Sequence, residues 1–317
     1  MLATRVLTLV AGIGLLFVGA QLNAPCNAQS ADQSAGKMAD AKMNFDLWPG
    51  FVSGMGKNFR ASPRPLDSPL YFEDPFIATD IRPIFLYHEF PRHSLLGGGH
   101  LTVLAVQARL ALTERLALIA TEDGYTDLEA SALPAGDGWN NLAAGFKYAL
   151  HVDYEQKSIL TAGARWTLSN GSRDVFQGIE DEVSLFVTGA KTMDRIHLMA
   201  DVVGRITTHH EQGNDSLSWD VQAAYELTPR FFPLVEYHGF TYLSNGNRIQ
   251  VRDGLLDYGN LGAGDVRGSD VHWATVGYRY EVADGVQWGL GYGFALRTPG
   301  KNDIYEERLI TGLVFLF

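Results

Sequence analysis

From about Asp80 onward, apolar and polar residues alternate with period two in segments of roughly ten residues separated by turn residues. In the segment from Val286 to Arg297, residues Val286, Trp288, Leu290, Tyr292, Phe294 and Leu296 fall on one face. Gln287, Gly289, Gly291, Gly293, Ala295 and Arg297 fall on the other. Successive side chains of a strand point to opposite faces, so the first face suits lipid and the second a lumen. The same split sets Leu142, Ala144, Phe146, Tyr148 and Leu150 against Asn141, Ala143, Gly145, Lys147 and Ala149. It recurs in Trp219, Val221, Ala223, Tyr225 and Leu227 against Asp220, Gln222, Ala224 and Glu226.

A soluble β-sandwich also alternates, so the connections must separate the two architectures. Short ones fall at Thr113 to Arg115, His151 to Lys157, Thr192 to Asp194, Thr228 to Arg230 and Ala283 to Gly285. Longer ones run near Phe90 to Gly99, Asp123 to Trp139, Ser169 to Asp181, Thr207 to Ser216, Ser244 to Ser269 and Pro299 to Asn302. Strict alternation of short and long is the pattern of a membrane barrel with tight periplasmic turns and larger external loops. A series of connections that begins and ends long implies about twelve strands, with both barrel termini on the short-turn side. An even number closes an antiparallel barrel without an edge, and each unpaired backbone group in lipid costs several kcal/mol. The predicted fold is therefore all-β, a transmembrane antiparallel up-and-down β-barrel of about twelve strands, whose first strand lies near Ile81 to Glu89.

The N-terminal part reads differently. Arg5, an apolar run from Val6 to Ala20 and small residues before Ala28 make a secretory signal peptide over 1–28. That run is too short to span a membrane, and no later stretch approaches the roughly 20 apolar residues a helix needs. Cys26 lies within the signal without the small-residue box of a lipidated cysteine. Cleavage after Ala28 leaves a mature chain without cysteine, which excludes disulfides, thiol chemistry and zinc-thiolate sites. Residues 29–79 are first polar, then rich in Pro, Gly and aromatics, with no sustained alternation; Phe45 to Phe59 reads as a short amphipathic helix. Pro63, Pro65, Pro69 and Pro75 then impose extended or turn structure. Two readings stay open for 29–79: a loosely ordered periplasmic segment, or a plug that narrows the lumen. The barrel occupies 80–317.

Composition supports interleaved faces. Hydrophobic residues make up 46% and charged ones 19%, yet mean hydropathy is only -0.04. The 34 glycines and 13 tyrosines suit pleated strands and membrane interfaces better than helices. A net charge of -11, with no Lys/Arg cluster, argues against a nucleic-acid partner.

The last strand carries Leu309, Thr311, Leu313, Phe315 and Phe317 on one face and stops on the aromatic. With Gly312, Phe315 and Phe317 it resembles the C-terminal assembly signal of bacterial outer-membrane proteins, although Ile310 stands where that signal usually has a polar residue. The resemblance implies two partners, the barrel-assembly machinery and outer-membrane lipid. Two turns, Leu112-Thr113-Glu114-Arg115 and Leu227-Thr228-Pro229-Arg230, and the segment Gly138-Trp139-Asn140-Asn141-Leu142 with Gly145-Phe146-Lys147-Tyr148 resemble a transporter-like outer-membrane family associated with the meta pathway of phenol degradation. The likeness begins near Leu101 and implies passage of hydrophobic or aromatic compounds, by analogy of architecture alone.

Extending the facing pattern assigns Gln107, Arg109, Lys147, Arg165, Asp201, Arg205, Glu236, His238, Arg279, Glu281 and Arg297 to the lumen. Charges of both signs beside low-dielectric walls favour a paired supporting network; the alternative is a selective, constricted pore. A lipid-ester hydrolase of the barrel type resembles a His-x-Ser arrangement, and none of the 9 histidines has Ser at that spacing. His238 and Ser244 stand too far apart along an extended strand. His209-His210-Glu211 with Asp215, and Asp253, Asp257 and Asp265, are metal-compatible donors without a preorganised spacing. No catalytic, cofactor-binding or metal residue is assigned. The expected function is passive passage of a small solute across an outer membrane; the alternatives are an outer-membrane lipid-modifying hydrolase and a non-conducting structural or adhesive barrel.

Overall fold

A computed structural model of the chain describes residues 54–209, 211–296 and 304–317. The signal peptide with Cys26, residues 29–53, His210, Arg297 and the connection from Pro299 to Asn302 lie outside the described residues.

The strands are Asp80–Phe90 (β1), Gly99–Ala111 (β2), Leu116–Glu122 and Tyr125–Ala130 (two halves of β3), and Gly136–Trp139 and Leu142–Asp153 (two halves of β4). Ser158–Leu168 (β5), Glu182–Met193 (β6), Ile196–Thr207 (β7), Ser216–Tyr225 (β8), Phe231–Tyr242 (β9), Asp270–Ala283 (β10), Val286–Ala295 (β11) and Glu307–Leu316 (β12) follow. Each pairs antiparallel with its chain neighbours, and β12 returns to β1 with Ile84 opposite Gly312. The result is a closed barrel of twelve strands. Closure satisfies the backbone groups that lipid cannot.

Facing follows the alternation. On β4, Leu142, Phe146, Tyr148 and Leu150 lie on the outside, about half exposed, while Ala143 and Lys147 between them are buried. On β8, Val221 and Tyr225 face out, and Asp220, Gln222 and Ala224 face in. The two Leu-Thr-x-Arg turns have a common cause: the threonine hydroxyl accepts from the backbone two residues on, Arg115 N at 3.1 Å and Arg230 N at 3.4 Å.

Some connections differ from expectation. Asp123 to Trp139, read as one long loop, is mostly strand. Thr126, Leu128 and Ala130 are buried while Tyr125, Asp127 and Glu129 face outward, so alternation continues there with a charged outer face. His151 to Asp153 likewise belongs to β4, beyond a register shift between Ala149 and His151. Thr192 and Met193 end β6, leaving Asp194 and Arg195 as the turn.

The lumen is filled. Residues 54–79 pack against inward-facing side chains of the wall. A short helical turn, Gly56–Phe59 (α1), sits at the short-turn end, where Arg60 pairs with Asp284 at 3.2 Å and Phe59 meets Tyr154. Met55, Phe59, Phe72, Phe76 and Ile77 pack against Ala111, Ala117, Ala149, Ala190, Ile159 and Met199 of the wall. The segment turns at Ser68, a non-glycine residue with φ of 54°, and returns to β1 at Asp80. Its prolines keep it from joining the sheet as another strand. Small wall residues make room for it: a Cβ on Gly277 or Gly289 would lie 2.6 or 2.4 Å from Leu66, and one on Gly293 would lie 3.0 Å from Asp67. The long loop 243–269 folds over the opposite end, with Leu255, Leu256 and Val266 buried.

Candidate functional site: the occluded lumen

An extended segment without strand partners must have its backbone groups satisfied by side chains. The wall supplies them. Glu236 on β9 accepts from Leu66 N and Asp67 N, both at 2.8 Å, and Asp201 on β7 accepts from Glu73 N at 3.0 Å. Gln107 donates to the Pro69 carbonyl at 2.7 Å, Thr161 to Pro75 O at 2.6 Å, and Arg279 to Arg64 O at 3.0 Å and to Pro65 O. Gln287 donates to Arg60 O and Ser62 O at 3.1 and 3.2 Å.

The segment's carboxylates meet the wall's cations. Arg109 binds Glu73 through Nε at 2.7 Å and Nη2 at 2.6 Å. Lys147 reaches Glu73 at 2.7 Å and Asp74 at 3.2 Å, and Asp74 also pairs with Arg82. Arg82 is held from the other side by Asp80 at 2.8 Å. Higher in the lumen, Asp67 accepts from Arg308 at 2.6 Å, Thr275 at 2.5 Å and Trp273 at 3.2 Å. Arg308 also donates to Asp257 of the long loop at 2.9 and 2.8 Å, and it stacks near Tyr258 and Tyr305. One guanidinium thus holds both the N-terminal segment and the external loop. These groups are buried, and removing one partner of such a pair costs about 3–5 kcal/mol.

The structure places Gln107, Arg109, Lys147, Arg165, Asp201, Arg205, Glu236, His238 and Arg279 in the buried interior. Arg205 donates to Tyr71 OH at 2.5 Å, Arg165 to Thr121 at 2.9 Å, and His238 lies 2.5 Å from Asp220 and stacks on Trp273. Glu281 differs: it is partly exposed beside the short β10–β11 turn, where its carboxylate accepts from Gly285 N at 3.3 Å. Distance from the barrel centre, rather than phase, sets it apart. In β12, Gly312 stands between Ile84 of β1 and Gly289 of β11, Phe315 between Ile81 and Val286, and Phe317 is exposed at the strand's end. The residues missed were Asp67, Glu73 and Asp74, which lie in a segment without periodicity, and Arg82 and Arg308; Asp220 is buried on the face of β8 that the alternation gave to the lumen. Arg308 had a signal, because it precedes the outward row that starts at Leu309.

The loop donors do not gather. His209 pairs with Glu180 at 2.7 Å, Asp265 with Arg252 at 3.0 Å, Asp257 turns inward to Arg308, and Asp215 accepts from Thr207 N at 3.0 Å. Among the described residues no group of three His, Cys, Asp or Glu is placed to hold a metal ion.

The wall has a seam. β2 pairs with the first half of β3 up to Ala108–Ala120 and with the second half from Leu104–Tyr125. Between them Ala105, Val106 and Gln107, which pair with β1 on their other side, lack regular partners on β3. Side chains patch the gap: Asp123 accepts from Val106 N at 2.9 Å and Gln107 donates to Thr121 O at 2.7 Å. Gly124 has φ of 113°, and a Cβ there would lie 2.4 Å from the Leu104 carbonyl, so a side chain cannot replace it without strain. Inside the seam is a mainly apolar cavity of about 60 Å³, lined by Leu70, Ile84, Leu86, Leu101, Val103 and Leu128 among others. Outside is a groove of about 990 Å³ lined by Phe85, Leu104, Val106, Trp139, Leu142 and Trp288. Ile84, Ala105, Asp123 and Asn140 border both.

No protein-family model and no curated protein matches this sequence. Among solved structures, it is similar to an outer membrane channel from Pseudomonas putida F1, with TM-score 0.58 and 15% identity over 80% of this chain and 100% of that one. It is also matched by the NanC porin, with TM-score 0.46 and 10% identity over 75% of this chain and 99% of that one. A KdgM porin in complex with disordered oligogalacturonate gives TM-score 0.40 and 11% identity over 76% and 99%. The last two likenesses are too distant to carry an argument. The first shows that this chain has the fold of an outer-membrane β-barrel channel.

Proposed function

We propose that the protein is an outer-membrane channel for small, largely apolar solutes, closed at rest by residues 54–79, and that solute reaches the lumen through the seam between β2 and β3. The observation that carries this reading is the pair of apolar spaces meeting across the seam at Ile84, Ala105, Asp123 and Asn140. A hydrophilic pore needs a continuous wet path, whereas here the axial path is filled by ion-paired chain and the lateral one is lined by Phe, Leu, Val and Trp. The resemblance to the transporter-like family associated with phenol degradation points to the same solute class. A lipid-hydrolase reading is less well supported, since His238 lies buried between Asp220 and Glu236 beneath Phe72, away from the lipid face.

The test is uptake across the outer membrane of intact cells expressing the protein. Uptake of the apolar dye N-phenyl-1-naphthylamine is expected to rise several-fold over vector controls, while that of hydrophilic nitrocefin stays at the control rate. Ala105→Trp, which fills the seam, is expected to remove the gain. Equal gains for both probes, or none for the dye, would overturn the reading.

A further inference from the structure

Arg279 is buried, yet among the described residues no carboxylate forms an ion pair with it, and Glu236 and Asp74 attract it only from farther off. Its donors rest on the main-chain carbonyls of Arg64, Pro65 and, at 3.5 Å, Gly312. A buried guanidinium is ordinarily matched by an anion, and Arg binds carboxylates in a two-pronged geometry that a carbonyl only half uses. Arg279 also lines a small polar cavity of about 20 Å³ together with Arg82. This cavity adjoins the apolar one inside the seam, and both are bordered by Pro69, Ile84 and Gln107. An apolar chamber next to two guanidinium groups fits one kind of molecule: a compact apolar body bearing one carboxylate.

The N-terminal segment meets the same description. It lays Leu66 and Leu70 against the apolar wall and offers Glu73 and Asp74 to Arg109, Lys147 and Arg82. When it withdraws, Arg82 keeps Asp80, Arg109 keeps Asp80 only at 3.6 Å, and Lys147 loses both its carboxylates. Around Arg109 and Lys147 the wall is then short of anions, although Asp201, Asp220 and Glu236 remain on it elsewhere.

We propose that the lumen binds a small apolar carboxylate, such as an aromatic or short aliphatic acid. Its carboxylate would lie on Arg279 and Arg82 and its apolar body in the cavity beside Leu86 and Leu101. The N-terminal segment is an internal stand-in for this ligand, so the ligand loosens the segment by taking its place. The inference rests on the channel reading above and narrows its solute class.

The experiment is titration calorimetry of the folded full-length chain in detergent with benzoate and with benzyl alcohol, which shares the ring but lacks the charge. Benzoate is expected to bind at least about 10-fold more tightly. Arg279→Gln should erase that preference, and Arg279→Lys should retain part of it. In a Ser62→Cys variant with Cys26→Ser, benzoate should speed maleimide labelling of the segment and benzyl alcohol should not. Equal affinity for the two ligands, or a benzoate preference unchanged in Arg279→Gln, would overturn the proposal. The wild-type comparison decides even if Arg279→Gln fails to fold, as read by heat-modifiable gel mobility. Absence of benzoate binding with dye uptake intact refutes this site and leaves the channel; benzoate binding without dye uptake supports the site and refutes the channel.

Discussion

Single-channel recordings of the double variant Glu73→Gln/Asp74→Asn are expected to show frequent openings where the wild-type chain is closed. The two carboxylates are the segment's link to Arg109, Lys147 and Arg82, with contacts between 2.6 and 3.2 Å to the first two. All these groups are buried, so solvent screening does little to soften the loss. Breaking a buried pair by removing one charge costs about 3–5 kcal/mol, partly because the partner is stranded. Each 1.4 kcal/mol or so is a tenfold change in a population, which turns a rare opening into a common one. The matching control is Asp284→Asn, which breaks the ion pair with Arg60. Asp284 is largely exposed, and such a pair contributes about 0–1 kcal/mol, so the channel should remain closed. Similar conductance from both variants would show that the buried pairs do not hold the segment.

Neighbouring residues of β8 should respond oppositely to the same substitution. Val221→Arg is expected to impair assembly severely, whereas Gln222→Arg is expected to fold. Val221 faces outward near the middle of the strand, where Arg against lipid costs about 2–4 kcal/mol. Gln222 is buried inside and stands opposite Glu236 in register, beside Asp220 on its own strand, so an added guanidinium finds carboxylates. Heat-modifiable gel mobility of membrane fractions measures the folded share. Equal loss from both would contradict the facing of the whole barrel.

How much was legible in the sequence follows from what generates period two. A strand between lipid and a lumen must alternate, so β4, β8 and β11 could be read residue by residue, and the sign of each connection length fixed the strand count. At Asp127 and Glu129 the outer face is charged, and the contrast that marks a strand disappears. The N-terminal segment was illegible for another reason. Its prolines forbid ladder pairing, and its order comes from Glu236, Asp201, Gln107 and Arg279, all remote in sequence. The glycines of β11 were read as a lumen face, but only contact with Leu66 and Asp67 shows why that face is bare. A charged lumen suggested internal pairing, and the sequence held no signal that half the partners come from residues 64–74.

Residence of the N-terminal segment inside the barrel is tested most directly by cross-linking it to the wall. Leu66 and Gly289 face each other closely, so cysteines at both positions, with Cys26→Ser, should form a disulfide on mild oxidation in intact outer membranes. The expected result is rapid intramolecular cross-linking, with Glu73→Gln/Asp74→Asn openings abolished in the oxidised protein and restored by reduction. Folded, membrane-inserted protein that does not cross-link, or that conducts equally before and after oxidation, would contradict a lumen closed by the chain's own N-terminal segment.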